Sequence, residues 1–221
     1  MSTANRAFYF QEFYPFQNEV LRLINTVDTG FYLTGGTAAS RGYLHHRFSD
    51  DLDLFVNDDA SFALWTERII QALVAHAGWQ TMVQLRDARF VRLVVTQATT
   101  VLKIEMINDV PAHVGELVAH PVLGRLDSAE NILANKITAL IGREEPKDLA
   151  DVWGFCHQLG LSLTTALEDA HSKAAGIFPA DVARVLLTAT PDDWQLIRWI
   201  DAPPVEQFLA DLKVLGEALI V

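Results

Sequence analysis

The 221-residue chain carries 17 basic and 28 acidic residues, a formal net charge of −11, and half of its residues are apolar. That balance excludes a disordered chain and argues against a broad nucleic-acid face or an anionic membrane surface as partner, because both attract an excess of positive charge. The lone Cys156 cannot close an internal disulfide, no apolar run approaches the roughly 20 residues of a membrane span, and no signal segment opens the sequence, so a cytoplasmic protein is expected.

In chain order, Pro15 opens a predicted helix reaching to about Asp28, with Phe16, Val20, Leu23, Ile24 and Val27 as its apolar stripe, and Gly30 stops it. Residues 31–33 read as a short buried strand, Gly35 and Gly36 as a tight turn, and Thr37 starts a helix running to about His46. Residues 52–56 form the next strand. A helix follows from Ser61 to His76, with Leu64, Ile69, Leu73 and Val74 as its apolar positions. Residues 79–85, 90–96 and 101–107 read as three strands whose short separators suit hairpins. Beyond about Leu126 the pattern turns helical: 128–142, 146–160, 164–175, 179–188, 192–200 and 204–219. Cys156 reads as a small core residue of the second of these helices. The expected fold class is therefore α+β, a mixed sheet with flanking helices in residues 1–126 and a helical part in 127–221.

The chemistry concentrates between Leu33 and Leu54. A strand ends in Gly35-Gly36, which permits a sharp turn and close approach of a phosphate, and the new helix offers its free N–H groups with the Thr37 hydroxyl beside them. The following strand carries Asp51 and Asp53. Two residues apart, they share a face, while Leu52 and Leu54 point to the core. Neighbouring carboxylates repel, and a divalent cation between them removes the conflict; hard oxygen donors suit Mg²⁺, or Mn²⁺ in its place. Glu105, in an otherwise apolar strand, is either a third ligand or the salt-bridge partner of Lys103, and Lys103 is either that partner or a phosphate ligand. Arg47 suits a bidentate phosphate contact or a surface pair with Asp50, Ser49 lies beside the metal strand, and His45 and His46 read as structural residues at a helix end. Arg41, Arg47, Arg86, Arg89, Arg92 and Lys103 offer a local basic rim.

Gly-Gly-Thr-Ala followed by His46-Arg47-x-Ser49-x-Asp51-Leu52-Asp53-Leu54-Phe55 resembles the AbiEii/AbiGii toxin family, within the nucleotidyltransferase superfamily that includes DNA polymerase beta. Asn135-Lys136-Ile137-x-Ala139-Leu140, Arg143 and Pro146-Lys147-Asp148-Leu149-x-Asp151 are similar to the family's later motifs. The chain departs from several relatives in having Gly-Gly-Thr for Gly-Ser and Glu105 where Asp is common. The resemblance implies a transferase that moves a nucleoside monophosphate from a nucleoside triphosphate to an acceptor hydroxyl, as the toxin half of a toxin–antitoxin or abortive-infection system with a cognate antitoxin. In that reading Gly35, Gly36 and Thr37 cradle the triphosphate, Asp51 and Asp53 hold metal with Glu105 sharing it, Lys136 reaches the phosphates, and Asp148 orients Lys136 or the acceptor. From the residues alone, Lys136 also reads as a solvated helix residue, and Asp148 and Asp151 as capping or surface pairs. The acceptor implied is a tRNA 3′ end; an aminoglycoside-type small molecule or a nonenzymatic nucleotide- or partner-binding module on the same fold are the rival readings.

Overall fold

The alternation of residues 52–57 places them at the centre of a seven-stranded mixed sheet in the computed structural model of the chain, which describes residues 3–220. The strands are β1 (Tyr32–Thr34), β2 (Leu52–Asn57), β3 (Gln80–Arg86), β4 (Phe90–Gln97), β5 (Thr100–Asp109), β6 (Val118–His120) and β7 (Gly124–Leu126), in the order β3-β4-β5-β2-β1-β7-β6. β2 lies antiparallel to β1 and parallel to β5, and β7 is parallel to β1. The helices are α1 (Thr3–Phe8), α2 (Tyr14–Ile24), a single turn α3 (Gly35–Thr37), α4 (Phe62–Ala75), α5 (Ala129–Arg143), α6 (Pro146–Trp153), α7 (Leu163–His171), α8 (Pro179–Leu187), α9 (Pro191–Leu196) and α10 (Val205–Glu217). The expected α+β class holds.

Two compact units divide these elements. The first comprises residues 1–38, 49–111 and 117–127, and the second residues 39–48, 112–116 and 128–221. Residues 39–48 and 112–116, read with the strand-rich half, pack with the helices.

In the first unit one face of the sheet is apolar. Leu52, Leu54 and Val56 of β2, Val91, Leu93 and Val95 of β4, and Leu102, Ile104 and Met106 of β5 are all buried there. With Phe16, Val20, Leu21 and Ile24 of α2 and Ile69 and Leu73 of α4 they form the core. α4 buries Ile69 and Leu73 as expected, together with Phe62, Thr66 and Ile70, whereas Leu64 and Val74 are 53% and 61% exposed. Pro15 lies in the first turn of α2, where its missing N–H costs nothing, and a π-helical turn, Tyr9–Phe13, leads into it. β6 and β7, three residues each, lie below the length at which alternation is readable and were not expected.

The second unit begins where Ser128 accepts a hydrogen bond from the Asn131 N–H and caps α5. Ile132, Leu133, Ile137 and Leu140 of α5 are fully buried, as are Val152 of α6, Val182 of α8, and Phe208 and Leu212 of α10. Two helices expected through Gly160 and from Thr37 to His46 instead finish as π-turns, Gly154–Gln158 and Ala38–Leu44. Cys156 lies in the first of these; burial pushes its thiol up to about 12, which leaves it an unreactive packing residue. Among the described residues no helix is long and apolar enough to cross a membrane.

Candidate active site

The expected acids meet on the polar face of the first unit's sheet. Asp51 precedes β2 and Asp53 lies within it, both half-buried, alternating with the fully buried Leu52. Across the sheet, Thr34, Asp53, Glu105 and Arg92 form one row, each in register with the next. Gly35 closes this row. Its φ of +64° suits glycine, and a Cβ added there would lie 2.1 Å from Asp53 Oδ2. The Asp53 carboxylate therefore rests directly on the glycine bend.

Thr37 and Ser49 hold the connection between bend and strand rather than facing outward. The Thr37 hydroxyl donates to the Asp51 carbonyl and lies 3.0 Å from the Ser49 hydroxyl, and both side chains are buried. The hydroxyls expected beside a phosphate are thus engaged within the chain itself.

Two cations thread the acids together. Lys103 Nζ lies 2.8 Å from Asp51 Oδ2 and 3.2 Å from Glu105 Oε1, and Arg92 Nε lies 2.7 Å from the same Glu105 oxygen. Partial burial alone would lower the Lys103 ammonium, but the bond it donates to Asp51 and the charge there, and then Glu105, hold it above its ordinary value. Of the two readings left open for Glu105, the pair with Lys103 is present in the structure, and Glu105 lies in register beside Asp53.

Among the described residues, no three His, Cys, Asp or Glu side chains converge closely enough to hold a metal ion as they stand. The donor set nonetheless fits a hard divalent cation at Asp51 and Asp53, for which two same-face carboxylates beside a glycine bend are the appropriate ligands. Glu105 can join them through Oε1 only by giving up a cationic partner.

Arg47, Lys136 and Asp148 belong to the second unit, where they form a buried ionic cluster. Asp151, fully buried, is its hub. Arg47 forks onto it, Nε to Oδ1 and Nη2 to Oδ2 at 2.7 Å each; Lys136 Nζ reaches Oδ2 at 2.6 Å, and His46 Nε2 lies 3.0 Å from Oδ1. Lys136 also binds Asp148 at 2.9 Å, and Arg143 adds two bonds to Asp148. Burial would raise both carboxyls. The Arg47 and Lys136 charges outweigh it and hold Asp151 well below the usual range, and Lys136 and Arg143 lower Asp148. Burial would likewise lower the Lys136 ammonium, but Asp151 and Asp148 keep it raised. Burial does prevail at His46, which is held low and neutral.

This cluster corrects several expectations. Arg47 is neither a surface partner of Asp50 nor free for phosphate: its guanidinium is buried on Asp151, while Asp50 accepts from the Tyr9 hydroxyl. Lys136 is buried rather than solvated, and Asp151 is not a surface residue. His46 is structural, as expected, and an antiparallel bridge between Arg47 and Trp199 fixes its neighbour.

Arg92, read only as part of a basic rim, and Asp151, read as a capping or surface pair, were not given these partners from sequence. Arg92 was reachable: a two-residue turn at Ala98-Thr99 pairs Gln97 with Thr100, and counting back sets Arg92 opposite Glu105. Asp151 lies three residues beyond Asp148, one helical turn on, which puts both on the face turned to Lys136.

The sequence matches the family described as "Nucleotidyl transferase AbiEii toxin, Type IV TA system" over residues 22–198. None of the curated proteins matches it. Among solved structures it is similar to JHP933 from Helicobacter pylori, with a TM-score of 0.63 and 21% identity, over 95% of this chain and 92% of that one. It is also similar to the nucleotidyltransferase toxin MenT4 from Mycobacterium tuberculosis H37Rv, with a TM-score of 0.63 and 20% identity, over 98% of this chain and 88% of that one. At these identities the structures share a fold. The family match, covering most of the chain and both motif blocks, carries the assignment: the chain is a nucleotidyltransferase and belongs to the AbiEii toxin family of type IV toxin–antitoxin systems.

Proposed function

We propose that the chain is a divalent-metal-dependent nucleotidyltransferase that acts in the cytoplasm on an acceptor hydroxyl, with the 3′ end of tRNA as acceptor and a cognate antitoxin opposing it. The observation that carries this reading is the Asp53 carboxylate packed on the positive-φ Gly35, with Asp51 on the same face of the strand. Asp51 and Asp53 would hold Mg²⁺ or Mn²⁺, with Glu105 as third donor. Bound there, the ion would supply positive charge to the reacting phosphate and lower the barrier to attack.

The chain's own groups account for the remaining requirements. Backbone N–H groups at Gly35, Gly36 and Thr37 bind phosphate oxygens at the start of the α3 turn. The acceptor oxygen attacks the α-phosphorus, the bond to the β-phosphate oxygen breaks, and pyrophosphate leaves. The acceptor's proton passes to Glu105; Arg92 and Lys103 both bind Oε1, which leaves Oε2 to receive it. Within the second unit, Asp148 at 2.9 Å and Asp151 at 2.6 Å hold Lys136 as a buried ammonium.

A cationic small-molecule acceptor is the second reading. It is favoured by the net charge of −11 and by the pairing of surface cations with acids. Incubation with each α-labelled triphosphate, Mg²⁺, and tRNA or an aminoglycoside tests both. Label in tRNA that is lost in Asp53→Asn and with chelator supports the first. Label in the aminoglycoside alone replaces the acceptor, and label that survives Asp53→Asn defeats the assignment of the site.

A further inference from the structure

The sheet register gives the two cations beside Glu105 different roles. Arg92 sits on β4 directly across from Glu105, so strand pairing fixes the distance between them. Lys103 lies two residues before Glu105 on β5 itself, its side chain 35% exposed and carried on a flexible four-carbon stem. Its ammonium bridges Asp51 and Glu105, two of the three carboxylates assigned to metal in the proposed function.

An ammonium and a divalent ion are compact, strongly hydrated cations that compete for the same carboxylate oxygens. Lys103 therefore satisfies electrostatically what a metal would satisfy, and by lying between Asp51 and Glu105 it keeps those two acids from closing on a common point. Moving its stem breaks no strand pairing; moving Arg92 away from Glu105 would strain the cross-strand row.

We propose that Lys103 is an internal counter-cation of the acid site and exchanges with the divalent ion. When metal takes Asp51 and Glu105, the ammonium is released toward the anionic triphosphate. The inference rests on the metal-dependent reading and adds to it a coupling: metal affinity is held down while Lys103 has no anion to go to, and rises when triphosphate is present.

The test is Mn²⁺ binding to the full chain, followed by the electron paramagnetic resonance of free Mn²⁺, with and without a nonhydrolysable triphosphate. Without triphosphate, Lys103→Met should bind Mn²⁺ about fivefold tighter than wild type, the effect of removing about 1 kcal/mol of competing ion pairing. Lys103→Gln, which retains a polar tip, should move the same way. Wild type should gain more affinity from triphosphate than either variant. Equal or weaker Mn²⁺ binding by both variants overturns the exchange while leaving the metal site standing. Asp53→Asn gives the background. Should wild type and both Lys103 variants bind no more Mn²⁺ than it does, with or without triphosphate, the metal reading falls and the exchange with it.

Discussion

Asp151→Asn removes one negative charge from a fully buried cluster and changes its shape very little. The wild-type carboxylate holds two bonds from Arg47, one from Lys136 and a contact to His46, all between 2.6 and 3.0 Å. With Asp148, the buried charges Arg47, Lys136, Asp148 and Asp151 cancel. An asparagine leaves Asp148, which Lys136 and Arg143 bind, as the cluster's one remaining buried anion and turns an amide toward one of the cations. Removing one partner of a buried ion pair costs about 3–5 kcal/mol, a large part of the roughly 5–15 kcal/mol that holds a domain together. Urea unfolding followed by tryptophan emission reads it, because Trp153, Trp194 and Trp199 lie in the second unit and only Trp65 and Trp79 in the first. The companion is Arg47→Met with Asp151→Leu, which removes cation and anion together and leaves Lys136 to Asp148. It should lose less stability than Asp151→Asn alone, since apolar replacement of a whole buried pair is often neutral. A loss below about 1 kcal/mol for Asp151→Asn, or a double variant worse than the single, refutes the view of this cluster as mutually compensating charge.

Gly35→Ala should abolish label transfer and cost about 1–2 kcal/mol from the left-handed backbone alone, because the new methyl would displace the Asp53 carboxylate; calorimetry and the transfer assay read the two effects. Asp53→Asn should also abolish transfer but leave the melting temperature unchanged or raised, as it removes like-charge repulsion beside Asp51; a large fall in melting temperature would make Asp53 structural. Ser128→Ala should cost about 1 kcal/mol through loss of the α5 cap, measured by chemical unfolding. Acid should destabilise the second unit in two stages, read by tryptophan emission between pH 7 and 3. His46, held below its unfolded value, favours the folded state fully only above that unfolded value, so stability starts to fall below about pH 6.5; Asp148 and Asp151, also held low, contribute stability above their unfolded values that is lost as pH drops below about 4. Asp151→Asn should flatten the second stage.

The first unit was legible where a short-range rule sufficed. Leu52, Leu54 and Val56 alternate with Asp53, Phe55 and Asn57, so the strand and the common face of Asp51 and Asp53 follow from spacing alone. The three strands after α4 were bounded by their turns to within a few residues. The grouping of residues 39–48 was not legible, because it depends on Arg47 meeting Asp151, 104 positions away, and on the bridge to Trp199. A lone arginine beside a metal strand reads as a phosphate ligand until its partner is known, and no periodicity supplies that partner. The same limit applied to Lys136: the pair of aspartates that keeps its buried ammonium charged comes from another helix.

The surface cations show why counting charges along a sequence misjudges an acceptor site. Arg86, Arg89, Arg92 and Lys103 read as a basic rim. In the fold each faces a carboxylate: Glu67, Asp58, Glu105, and Asp51 with Glu105. Strand register sets Arg92 against Glu105, and α4 and the turn after β2 bring Glu67 and Asp58 to Arg86 and Arg89, so the rim carries little net positive field. A phosphate that approached one of them would first have to displace an acid. Each phosphate neutralised on a single strand contributes a slope of about −0.7 to the dependence of log affinity on log salt. An RNA acceptor gripped only at its 3′ end should therefore show a slope no steeper than about −2, whereas a slope near −6 would require an array of free cations and would contradict the pairing described here. Acceptor choice on this surface would then depend on the groups that position a single hydroxyl, with little help from long-range attraction.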